Sequence, residues 1–233
     1  MTNSILITGS NRGLGLEMVR QYYQDGWNVI ACSRDPVHSE ELNDLVSQAQ
    51  SDRLMLLPLN VKNPEDIKNF EKKFKIPPID ILMNNAGVWG PVGTEFGTVE
   101  QDPWLDVFKV NTIAPLLLAQ VLIEQIANSK LKIIANISSQ MGSIADNTGG
   151  REYIYRSSKA ALNAVTKTMA VDLKNKGITV ISLHPGWVKT DMGGQNAAIT
   201  PTESVNGIKH VLNTISLKDS GSFIKYNGER LSW

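Results

Sequence analysis

The stretch Ser4-Ile5-Leu6-Ile7-Thr8-Gly9-Ser10-Asn11-Arg12-Gly13-Leu14-Gly15 decides the fold. Ser4 to Thr8 is a short apolar run ending at Gly9, the pattern of a strand buried on both faces. Leu14 to Gly26 then reads as a helix, with Leu16, Val19 and Tyr23 at helical spacing. The glycines between them stand as G-x-x-x-G-x-G. Glycines there permit a tight turn, let the backbone approach a pyrophosphate, and aim helix N-terminal amides at it. An ordinary glycine-rich turn is the plainer reading. The strand–loop–helix setting favours the phosphate site.

Working outward, strand and helix alternate. Trp27 to Cys32 reads as a second strand, and Glu40 to Gln50 as a helix carrying Leu42, Leu45 and Ala49 on one face. Leu54 to Leu59 is a third strand. Pro64 starts a helix with Ile67, Phe70 and Phe74 on one side, and Pro77-Pro78 stops it. Ile79 to Met83 is a fourth strand. A long helix from about Gln101 to Asn128 contains Pro115, which predicts a kink there. Leu131 to Ile137, Ile178 to Leu183 and Ser222 to Tyr226 supply three more strands. Between them run helices over Tyr153 to Lys176, capped by Gly177, and over Thr200 to Thr214. This order predicts an α/β fold: a Rossmann-like, doubly wound parallel sheet of about seven strands with helices on both faces. With no linker or repeat in view, residues 1–233 are expected to form a single domain. The glycine loop, Asn84 to Gly87, Ser138-Ser139 and Pro185-Gly186 all follow strands, so they converge on one sheet edge.

Composition narrows the function classes. Acidic and basic residues balance at 23 each, which argues against a nucleic-acid or membrane-surface partner. One cysteine, Cys32, excludes an internal disulfide, and three scattered histidines argue against a metal site. The N-terminus has no basic region followed by a long apolar run, and no apolar run reaches membrane-spanning length. A cytoplasmic location is the expectation.

Tyr155 and Lys159 are four residues apart in a predicted helix, so they share a face. A phenol titrates near ~10 and a lysine near ~10.4, and neither is a good proton-transfer group alone. An adjacent ammonium favours the phenolate and is expected to lower the tyrosine pKa. A tyrosine so poised can give a proton to a carbonyl oxygen or take one from an alcohol. Tyr153 has no such partner, since four residues on stands Ser157.

Thr8-Gly9…Gly13…Gly15, Asn84-Asn85-Ala86-Gly87, Asn111, Ser138-Ser139, Tyr155…Lys159 and Pro185-Gly186 occur in the same order as in the short-chain dehydrogenase/reductase family. The resemblance covers essentially the whole chain. The runs Tyr153 to Asn163 and Ser182 to Gly194, and the tail from Phe223 to Trp233, are similar to the C-factor/sniffer branch of carbonyl reductases.

The resemblance implies a catalytic set of Asn111, Ser139, Tyr155 and Lys159. By the same likeness, Tyr155 would be acid in reduction and base in oxidation. Bringing its pKa from ~10 toward ~7 takes about 4 kcal/mol, which Lys159 and an oxidised nicotinamide would supply. Ser139 would hold the substrate carbonyl; on chemistry alone Ser138 serves equally. Asn111 would break its helix and link Lys159 to solvent. The interval from Ser139 to Tyr155 is longer than the family pattern, and the excess falls in Asp146 to Gly150.

The resemblance also implies a path for the cofactor. It would lie along Gly9, Ser10, Asn11, Arg12, Gly13, Leu14 and Gly15, then Ser33 and Arg34, Asn60 and Val61, and Asn85, Ala86 and Gly87. Asn60 stands where most relatives carry aspartate. Pro185, Gly186, Val188 and Thr190 would hold the nicotinamide carboxamide, with Asp191 to Ile199 as a lid. Arg12 and Arg34 favour the 2′-phosphate of NADP(H) over NAD(H). The expected partner is a small carbonyl or alcohol substrate. A homodimer or homotetramer through Thr112–Ala127 and Leu162–Leu173 is the family habit. Trp89 and Trp187 are candidate pocket walls. Two readings stand: an NADPH-dependent carbonyl reductase, and a cofactor-binding signalling protein with little turnover.

Overall fold

The computed structural model describes residues 2–49 and 52–233, so the predicted end of the second helix at Gln50 lies outside the described residues. Seven strands form one sheet: β1 (Ser4–Thr8), β2 (Asn28–Ser33), β3 (Leu54–Pro58), β4 (Ile81–Asn84), β5 (Ile133–Ile137), β6 (Thr179–His184) and β7 (Phe223–Lys225). Their spatial order is β3-β2-β1-β4-β5-β6-β7, and every neighbouring pair is parallel. The Rossmann-like sheet expected from the alternation is therefore present.

Alternation along each strand explains the two layers. Ile5 and Ile7 of β1 face one core and Leu6 the other. The first core takes apolar residues from α1 (Gly13–Gln24), α2 (Glu40–Gln48) and α8 (Pro201–Thr214). The second takes them from α3 (Pro64–Phe74), α5 (Ala114–Val121), α6 (Ile123–Ala127) and α7 (Tyr153–Asp172). Both faces are covered, which is why the strands read as continuous apolar runs.

The helix predicted from Gln101 to Asn128 is corrected. It is α4 (Gln101–Phe108), a π-helical turn over Lys109–Ile113, then α5 and α6 separated at Leu122. The break precedes Pro115 rather than being centred on it, because Pro115 occupies the start of α5, where a missing N–H costs nothing. Asn111 is in the middle of the π turn, a feature that recurs at functional sites. The long helix predicted to Lys176 ends at Asp172, and a 3₁₀ turn and Gly177, at φ 70, finish it. Helix α3 stops at Lys75, which takes a left-handed conformation before the prolines are reached.

Candidate active site

Strand order reverses between β1 and β4, and ligands of such sheets lie outside the carboxyl ends of the strands at that point. The two strand ends are stitched together. Thr8 Oγ1 accepts from the Asn85 and Ala86 amides at 3.1 and 3.0 Å. The Asn85 side chain donates back to the Thr8 and Gly9 carbonyls at 2.9 and 3.1 Å. Gly9 and Gly13 adopt φ values of 68 and 55, which suit glycine. Gly15 is required for another reason: a Cβ there would stand 2.1 Å from the Gly9 carbonyl oxygen. The folded loop leaves the first turn of α1 without a side-chain cap or an acidic residue. No side-chain cap thus competes with an anion for the amides at its start.

Beside this loop lies a cleft of about 900 Å³. It is lined by Arg12, Arg34, His38 and Ser39, by Asn60, Val61 and the Asn85-Ala86-Gly87 turn, and by Tyr155, Lys159, Pro185 and Thr190. A glycine cradle at an uncapped helix start, with guanidinium groups lining the same cleft, fits a dinucleotide. A Cβ at Gly87 would meet Asn111 Oδ1 and Lys159 Nζ at 3.5 and 3.6 Å, ordinary contact distances, so space alone does not demand glycine there. Asp35, beside Arg34, gives its carboxylate to His38 Nδ1 at 2.7 Å, and this bond holds it below the usual carboxylate range. Arg12 forms an ion pair with Asp191, so its guanidinium rests on the predicted lid.

Tyr155 and Lys159 share a face of α7, as their spacing requires. The predicted electrostatics are corrected. Burial pushes the Tyr155 phenol up to about 12, with the Ser139 hydroxyl pulling weakly the other way. Burial also lowers Lys159 to about 8. The lysine does not bring the phenol down here, because its Nζ donates to the Ile137 carbonyl at 2.8 Å and sits 5.8 Å from the phenol ring centroid. Desolvation outweighs the mutual attraction. The two serines differ in their contacts, and Ser138 rather than Ser139 lines the cleft. Ser138 Oγ donates to Asn163 Oδ1 at 2.7 Å, while Ser139 reaches Tyr155 and caps the turn at Met141.

Several predicted residues do not border the cleft. Ser10 is buried with its hydroxyl on the Ile7 carbonyl, and Ser33 is buried against Ser39. Asn111 also turns inward: its side chain binds the Val88 amide and carbonyl at 2.9 and 2.8 Å and Ser158 Oγ at 3.0 Å. Ser139, Gly186 and Val188 flank the cleft without lining it. No group of residues that could hold a metal ion occurs among the described residues. No described helix is long and apolar enough to cross a membrane.

Residues 3–200 match the model of the short chain dehydrogenase family. The chain belongs to that family. It is a nicotinamide-dependent oxidoreductase by membership, and its fold is shared by solved members. Over the full length of both chains it is 34% identical to the carbonyl reductase Sniffer of D. melanogaster, with a TM-score of 0.91. It is 36% identical to the NADPH-bound carbonyl reductase from chicken fatty liver, with a TM-score of 0.90 over 100% of this chain and 99% of that one. It is 38% identical to the C-signal of Myxococcus xanthus over 67% of this chain and 93% of that protein. The short-chain dehydrogenase reading and its carbonyl reductase branch thus stand.

Some members of this family site are not legible in the sequence pattern. Gly142 lets the turn after β5 seat on α7, since a Cβ there would be 2.8 Å from the Lys159 backbone carbon. A glycine three residues after Ser139 is the available signal. His38 borders the cleft, and its place three residues past Asp35 is its only mark. Beneath the site, Asn84, Asn136, Thr166 and Ser182 form an unbroken buried chain of hydrogen bonds across β4, β5, α7 and β6. Nothing in local periodicity announces such a network.

A buried lysine has a stability signature. Its folded affinity is lowered from the ordinary 10.5 to about 8. The penalty is therefore full below pH ~8 and relieved as pH rises toward ~10.5, where the unfolded chain also releases the proton. Lys159→Met should stabilise the cofactor-free protein by up to ~3 kcal/mol near pH ~7. Urea denaturation should also show that the variant lacks the rise in stability the parent has between pH ~8 and ~10.

Proposed function

We propose that this chain, as a single domain, reduces aldehydes and ketones to alcohols with NADPH. The observation that carries the reading is that Tyr155, with Ser139 against its phenol, and Lys159 line the same cleft as Arg12 and Arg34. When bound, the nicotinamide supplies the hydride. Tyr155 gives its phenolic proton to the carbonyl oxygen as that oxygen gains charge. A phenol held near 12 keeps its proton at neutral pH, which suits the acid role and the reductive direction. Ser139 donates to the same oxygen and fixes the carbonyl for attack. Lys159 would hold the ribose hydroxyls beside Tyr155, and Asn111 secures the Val88 backbone and Ser158 around them.

Arg34 favours the 2′-phosphate, with Arg12 joining it once released from Asp191. The NADPH named for the chicken relative supports this preference. The test is a panel of aldehydes, ketones and diketones with either cofactor. The parent should oxidise NADPH in preference to NADH. Arg34→Ala should raise the KM for NADPH by ~10- to 100-fold and leave that for NADH nearly unchanged. An equal loss with both cofactors would remove Arg34 from phosphate recognition.

A cofactor-binding signalling protein is the second reading, favoured by the likeness to the C-signal of M. xanthus. It predicts tight NADPH binding and no turnover across the whole panel.

A further inference from the structure

Helix α7 begins in an unusual way. Gly150, Arg151 and Glu152 take φ values of 62, 57 and 52, three successive left-handed residues, two of which carry a Cβ. Glu152 holds the N-cap position, yet its side chain caps nothing in the helix. Its carboxylate turns away to the loop after β4. There it accepts from Trp89 Nε1 at 3.1 Å and from the Gly93 amide at 3.2 Å. The Glu152 amide donates to the Thr94 carbonyl at 2.8 Å. Arg151 pairs with Glu95 at 3.4 Å. Two local disadvantages, a disfavoured backbone and an unused cap, thus coincide with one long-range gain. Backbone strain of this kind persists where surrounding structure enforces it, and it clusters at functional sites.

The gain reaches Tyr155. The Trp89 indole stacks on the Tyr155 ring with centroids 4.2 Å apart and planes 19° from parallel. Trp89 does not border the cleft, whereas Tyr155 does. Trp89 therefore acts on the phenol ring rather than on a ligand. The loop tied by Glu152 also contains Val88, whose backbone is held by Asn111. Indole N–H and ring face are thus each used once, one to fix the tryptophan and the other to fix the tyrosine.

We propose that Glu152 and Trp89 form a clamp that holds the Tyr155 ring in its transfer geometry, with Glu152 a positioning residue acting through the indole. The inference rests on Tyr155 being the proton donor. A ring free to tilt loses the alignment of its hydroxyl with Ser139 and the carbonyl oxygen, and misplacement of that order costs rate rather than binding.

The test uses tyrosine-labelled full-length protein. A stacked indole displaces the Tyr155 ring-proton NMR signal, which is assigned by its loss in Tyr155→Phe. In Glu152→Ala the signal should move toward its unstacked position, and kcat should fall ~10-fold with KM changed less than ~2-fold. Glu152→Gln keeps an acceptor for the indole N–H and should retain the signal and most of kcat. In a Trp89→Phe background, which has no N–H to hold, Glu152→Ala should cost little more. An unmoved signal in Glu152→Ala overturns the clamp. So does an equal loss from Glu152→Ala with phenylalanine or tryptophan at 89. Should Glu152→Ala fail to fold, Glu152→Leu, which keeps the side-chain bulk but removes the acceptor for the indole N–H, carries the same comparison. The signal needs no turnover, so an inactive parent would count against carbonyl reduction while the clamp is judged on the spectrum.

Discussion

In Tyr155→Phe, kcat for carbonyl reduction should fall by ~10³-fold or more, while the Kd for NADPH stays within ~3-fold of the parent. The substitution removes one oxygen. The ring keeps its shape, its burial and its stack on Trp89. The cradle proposed for the cofactor's phosphates belongs to other elements, the glycine loop and the end of β2. Binding and proton donation are therefore separable in this site. Positioned proton transfer is worth roughly 10²- to 10⁴-fold. Ser139 is a far weaker acid than a phenol. Lys159 faces the Ile137 carbonyl. Stopped-flow kinetics and a fluorescence titration of NADPH would measure the two quantities independently. A variant with full activity would remove Tyr155 from the chemistry.

Gly15→Ala should destroy cofactor binding and damage the fold together. The new Cβ would lie 2.1 Å from the Gly9 carbonyl oxygen and 2.7 Å from Asn85 Nδ2. Neither can yield cheaply. Gly9 is fixed by its left-handed φ and by Ala86, and Asn85 Nδ2 is bonded to the Thr8 and Gly9 carbonyls. Relief requires opening the loop that joins β1 to α1. Thermal unfolding should register a loss of ~3 kcal/mol or more, the scale of an overpacked core position. NADPH affinity should fall by more than ~100-fold, since the amides proposed to face the phosphates would be displaced. Gly93→Ala is the matched control. Its φ is 74 but nothing lies within 4 Å of a Cβ, so only the backbone preference is lost, about 1 kcal/mol. Equal effects at the two positions would mean that the close approach at Gly15 is not what selects glycine.

The fold is legible in the sequence because its signals are local. Apolar runs ending in glycine, proline or asparagine give strands, and Leu16, Val19, Ile67 and Phe70 give buried helix faces. Elements that differ by a few residues are those whose ends are set by hydrogen bonds rather than by pattern, such as the 3₁₀ turn over Lys174–Lys176. The π turn at Lys109–Ile113 shows in the sequence only as an asparagine and a proline near each other. The missing N–H of Pro115 points to a distortion there, whereas the distortion lies one turn earlier.

The site divides in the same way. Tyr155 and Lys159 come from a spacing rule, and Gly9, Gly13 and Gly15 from a loop rule. Their proton affinities do not, because burial depends on what the rest of the chain stacks above them. The Arg12–Asp191 pair and the Glu152–Trp89 bond join residues far apart in sequence. No local periodicity encodes such pairs. The same holds for Ser10 and Ser33, whose neighbours line the cleft while their own hydroxyls are spent on the Ile7 carbonyl and on Ser39.

The fate of the nicotinamide hydrogen is the most direct test of carbonyl reduction. NADPH carrying deuterium at the transferring position is mixed with the protein and a carbonyl substrate, and the product is examined by mass spectrometry. The expected product is an alcohol with one deuteron on the former carbonyl carbon, formed by the parent and not by Tyr155→Phe. NADPH bound tightly by the parent with no deuterated alcohol from any member of the panel would contradict it.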